Sequence, residues 1–81
     1  MNNELLIAKG RLADTEKQLE EANLKADNYM ILIRELLDPY AKFEELELDK
    51  VISIAKEFRD LQLRVRELTN LKLRIKSDFN L

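Results

Sequence analysis

The chain has 81 residues, 37% charged and 46% hydrophobic, with a formal net charge of −2, one Gly, one Pro, no Cys and no His. That mixture suits long helices and excludes a turn-rich β fold, a disulfide scaffold and a disordered chain. It also removes His- or Cys-based catalysis and zinc sites, and the longest uninterrupted apolar run, Tyr29 to Ile33, is far too short to cross a bilayer.

The first predicted element is a helix over about residues 3–37. Leu5, Leu12, Leu19, Ala26 and Ile33 recur every seven residues, and Ala8, Thr15, Ala22, Tyr29 and Leu36 recur three places later. Two apolar sites per heptad form the seam of a coiled coil. Asn2 or Asn3 can cap the start, and Pro39 disfavours helical geometry in the residue before it, so the helix ends at Leu37. Gly10 falls on the outward side, where it costs about 1 kcal/mol relative to Ala.

Residues 38–46 form the connection. Asp38 can cap a short helical turn with Pro39 in its first position. Tyr40 and Phe43 either tuck under the end of the bundle, the favoured expectation, or form an exposed contact point. Glu44, Glu45, Glu47 and Asp49 lack the glycine and the alternating oxygen ligands of a cation loop, and read instead as acids at the positive end of the next helix.

The second helix is predicted over about residues 47–78. Here Ile54, Leu61, Leu68 and Ile75 alternate with Val51, Phe58, Val65, Lys72 and Phe79 at the same heptad spacing. Charge changes along the chain: residues 1–37 sum to −2, residues 38–49 to −4 and residues 50–81 to +4. The two seams fit each other if the chain doubles back, which makes the fold class all-α: one antiparallel coiled-coil helical hairpin spanning residues 1–81, associating into a dimeric four-helix bundle.

Antiparallel packing pairs residues whose numbers add to a constant. A constant of 87 sets Leu12 against Ile75, Leu19 against Leu68, Tyr29 against Phe58 and Ile33 against Ile54. It places Ala8, Ala22 and Ala26 opposite large partners, and puts the only polar seam residues, Thr15 and Lys72, in one layer. A polar layer that meets itself fixes register. In this register Arg11 nears Asp78, a favourable pair, but Lys9 nears Lys76 and Lys25 nears Arg64.

Two helices leave each seam open along one side. Near the connection, Met30, Ile31, Leu32 and Leu37 of the first helix and Ile52 and Ala55 of the second widen the apolar surface, so this end is the expected contact with a second copy. Leu6, Ile7, Leu71 and Leu73 form a lesser patch near the open end. On the outer arc of the second helix lie Lys56, Arg59, Arg66 and Arg74 with Leu63 and Asn70 among them. This is a candidate surface for a protein partner, or less strongly for nucleic acid, since no aromatic side chain interleaves the bases. A solvated helix face is the plainer reading. Asp14, Glu20, Glu21, Asp27 and Glu35 make the outward side of the first helix acidic, so hairpins could stack side by side.

The sequence therefore points to a non-enzymatic interaction or assembly protein, acting as a homodimer on an unidentified protein. No catalytic, cofactor-binding or metal-binding residue, no cofactor, no small-molecule substrate and no membrane association are expected. The lack of Cys and of a basic N-terminal segment points to the cytoplasm.

Overall fold

The computed structural model describes residues 2–81. It is all-helical among those residues: α1 spans Asn2–Leu36, a single 3₁₀ turn covers Phe43–Glu45, and α2 spans Leu48–Phe79. The two long helices lie side by side in opposite directions as a rod of 63 × 15 × 14 Å.

The boundaries follow from local chemistry. Leu37 still donates its N–H to the Ile33 carbonyl at 2.9 Å, but the proline two residues on prevents another helical turn. The short helical turn expected at Asp38 is instead a β-turn with Pro39 in its second position, fixed φ and all. The Ala41 N–H meets the Asp38 carbonyl at 3.2 Å, and the Tyr40 N–H meets Asp38 Oδ1 at 2.9 Å. The helical turn lies further on, at Phe43–Glu45, closed by Glu45 N–H to the Lys42 carbonyl at 2.9 Å. α2 runs past Asp78 because Asn80 adopts a left-handed conformation, φ 53° and ψ 42°, and ends the helix there. Asn tolerates this geometry better than other residues with a side chain. Leu81 N–H then reaches back to the Lys76 carbonyl at 2.9 Å.

The core is a strip, not a centre. Ala8, Thr15, Ala22, Leu68 and Ile75 are buried, and no large side chain is fully enclosed. Every other seam residue is half-buried except Leu5 and Phe79, which are exposed at the open end. The heptad sites are thus the residues facing inward, and cross-helix contacts fix their register. Tyr29 stacks on Phe58 and Glu16 pairs with Lys72, as the constant of 87 requires, while Arg64 reaches along the rod to bond Gln18. Burial of a Leu, Ile or Phe contributes roughly 1.5–3 kcal/mol when complete, so half-buried seams leave a substantial part of that stabilisation unused.

Candidate functional site: two unlike flanks beside one seam

A two-helix seam has two open sides, and here they differ. One is closed over by polar links. Arg64 Nη2 donates to Gln18 Oε1 at 3.1 Å, and Gln18 Nε2 donates to Asp14 Oδ2 at 2.9 Å. Arg64 Nη1 also lies 3.6 Å from Glu67. Further along, the Tyr29 hydroxyl donates to Glu57 Oε2 at 3.4 Å. Partial burial of the ring, and then the Glu57 carboxylate that faces and accepts from the phenol, hold Tyr29 above its ordinary value. On this side Lys25 and Arg64 share a shallow groove with Glu21. Arg64 reaches toward Gln18 and Glu67, which offsets the like-charge approach expected from the register.

The other side is an open groove. Asn23, Ala26, Ala55, Phe58, Leu61, Gln62 and Val65 line about 370 Å³ of it, with Arg59 at the rim. Asn23 and Val65 also line a continuation of about 640 Å³, where Glu16, Glu20, Asp27 and Lys72 stand with Leu19, Leu24 and Thr69. Small side chains help keep this groove open: Ala26 and Ala55 line it beside the half-buried Phe58. Its α1 wall carries acids and its α2 rim carries Arg59.

Several residues expected at a contact surface converge on this side. Ala55 lines the groove. Met30 and Leu37 lie seven and fourteen residues beyond Asn23, and Ile52 lies seven before Arg59, so helical periodicity sets all three on the same flank. All three are exposed. Ile31, seven beyond Leu24, continues its outer edge. Leu32 does not join them: it lies seven beyond Lys25, on the polar flank.

Thr15 and Lys72 share one layer in this register, but no hydrogen bond joins them. Thr15 is 3% exposed and donates its hydroxyl to the Arg11 carbonyl at 2.7 Å. Lys72 reaches Glu16 Oε1 at 3.5 Å. Each polar group is satisfied separately, so the layer is tolerated without a direct bond. Sequence reasoning missed Glu16, although a carboxylate next to the polar layer was the signal available.

Lys56, Arg59, Arg66 and Arg74 are exposed along α2. Among the described residues none of the four has a carboxylate within 4.0 Å; the ion pairs involve Lys50, Arg64 and Lys72. Leu63 stands exposed among them. Arg59 belongs to the groove rim as well as to this arc.

The connection corrects one expectation. Tyr40 is 96% exposed and Phe43 81% exposed, so neither ring tucks under the bundle end; Ala41 and Leu46 are the half-buried residues there. The turns around Asp38 and Lys42 point the two rings outward. Among the described residues no group of three or more acidic side chains is disposed to hold a metal ion, and no helix is long and apolar enough to cross a membrane. No protein-family model, curated protein or solved structure matches the chain.

Proposed function

We propose that this chain is a non-enzymatic interaction protein, a cytoplasmic helical hairpin that self-associates into a dimeric four-helix bundle and presents helix faces to a protein partner. One observation carries the reading: the seam is half-buried along the groove flank, where Met30, Leu37, Ile52 and Ala55 extend an apolar surface beyond what a two-helix rod covers. A surface of that kind in a charged chain is a contact surface, and a second copy presents an apolar stripe of matching length. Scaffolding, assembly chaperoning and inhibition of another protein are the activities this architecture serves.

Size-exclusion chromatography with light scattering tests it. Wild type should elute as a dimer at tens of micromolar, and Leu37→Glu or Ile52→Glu should elute as helical monomers. A wild-type monomer at that concentration would end the proposal.

A second reading has its own support in the four unpaired cations Lys56, Arg59, Arg66 and Arg74: a nucleic-acid accessory protein. Retention of DNA or RNA at low salt, falling steeply as salt rises and lost when the four are neutralised, is its requirement. No retention at low salt removes it.

A further inference from the structure

We infer that the second copy packs on the groove flank with its two-fold axis parallel to the helices, so that α1 of each chain lies against α2 of the other and both connections meet at one end. This rests on the self-association proposed above and adds which face is used and which way the copies point.

The face is chosen by contrast between the flanks. The polar flank joins its walls through Arg64–Gln18 and Tyr29–Glu57, whereas the link across the groove flank is Glu16–Lys72, away from the connection end. The groove flank is floored by Ala26, Ala55 and Phe58, and small residues let a neighbouring helix approach closely. Its outline is sufficient: a face of 63 × 15 Å offers on the order of 900 Å², close to the ~800 Å² per partner of a standard stable interface.

Charge chooses the orientation. Glu20 and Asp27 stand on the α1 wall of the groove, and Arg59 on the α2 rim; Arg66 lies one heptad beyond Arg59 on the same face. In the observed register Glu20 is level with Arg66, and Asp27 with Arg59. A two-fold axis along the rod preserves levels and exchanges helices. It therefore sets Glu20 against Arg66 of the second copy and Asp27 against Arg59 of the second copy, twice over. A two-fold axis across the rod sets α1 against α1 and α2 against α2, which juxtaposes acids with acids and arginines with arginines. Surface pairs add little affinity, but like-charge contact discriminates strongly between orientations. Lys9 and Lys76 share this flank at the open end, so the contact closes most tightly toward the connection. Tyr40 and Phe43 of both chains then stand at one end of the bundle, a doubled aromatic surface.

The test uses the whole chain, which has no native cysteine. A spin label on Lys42→Cys should report an interchain distance under about 30 Å, since helix axes in a bundle lie only ~10 Å apart. A dimer with labels near the far ends of the rod, about 50 Å or more apart by helix rise, overturns the orientation while leaving self-association standing. Absence of any interchain coupling, with a monomer mass, overturns both. Charge reversal is the second arm. Glu20→Lys with Asp27→Lys should weaken the dimer by about tenfold or more in Kd, and adding Arg59→Glu with Arg66→Glu in the same chain should restore it. No weakening, or no restoration, contradicts the parallel axis.

Discussion

The ring of Tyr29 stacks on the ring of Phe58 across the seam, with centroids 5.6 Å and planes 27° apart. Offset aromatic pairs of this kind add stabilisation beyond their buried area. The contact also locks the register, because a slip of one heptad would set Tyr29 against Val51 or Val65 in place of a second ring. Phe58→Ala should therefore destabilise the hairpin by about 2 kcal/mol, below the 3–5 kcal/mol of a fully buried Phe because this one is half-buried. Urea denaturation followed by helical circular dichroism measures it.

Tyr29 also gives a pH signature. Partial burial and the Glu57 carboxylate raise its phenol above the ordinary value of 10.0. The folded state thus holds the proton more tightly than the unfolded chain. The sign follows from linkage: this contribution is complete below pH 10 and is lost as pH rises through the folded-state value. In a Tyr40→Phe chain, where Tyr29 is the remaining tyrosine, ultraviolet titration should give a midpoint above 10. Glu57→Gln should bring that midpoint down.

Lys72 occupies a seam site that the heptad reserves for an apolar side chain, and it is held by Glu16 at 3.5 Å. Lys72→Leu should raise the melting temperature, since apolar burial replaces a partly exposed ion pair. It should also broaden the register or the oligomeric state, because leucine packs equally well at neighbouring layers. Calorimetry and light scattering read the two effects; a less stable protein of unchanged mass would contradict this role.

Gly10 lies on the exposed side of α1, and a Cβ built there meets nothing within 4 Å. Gly10→Ala should stabilise the fold by about 1 kcal/mol, raising the melting temperature by several degrees. Retained oligomeric state in the same variant would show that this face is not a contact.

Most of the architecture was legible in the sequence because seven-residue spacing is insensitive to detail. Once Pro39 broke the helix, Leu12 and Leu19 could face only the second array, where Ile75 and Leu68 stand opposite them. The flanks were less legible. That Gln18 would reach Arg64, or Glu57 reach Tyr29, depends on side-chain rotamers and on which side of the seam each residue falls. The connection was read least well. Apolar character alone suggests that Tyr40 and Phe43 are buried, whereas the turn hydrogen bonds of Asp38 and Lys42 dictate where the rings point. Asn80 was overlooked as a helix stop because its left-handed geometry is a backbone property that composition does not display.

Sedimentation equilibrium of the unmodified chain, from about 1 to 200 μM to span a micromolar Kd, addresses the half-open seam directly. A reversible rise to twice the 9.6 kDa chain mass is the predicted result. A constant 9.6 kDa across that range would contradict it, and would leave the groove as the surface of a monomer.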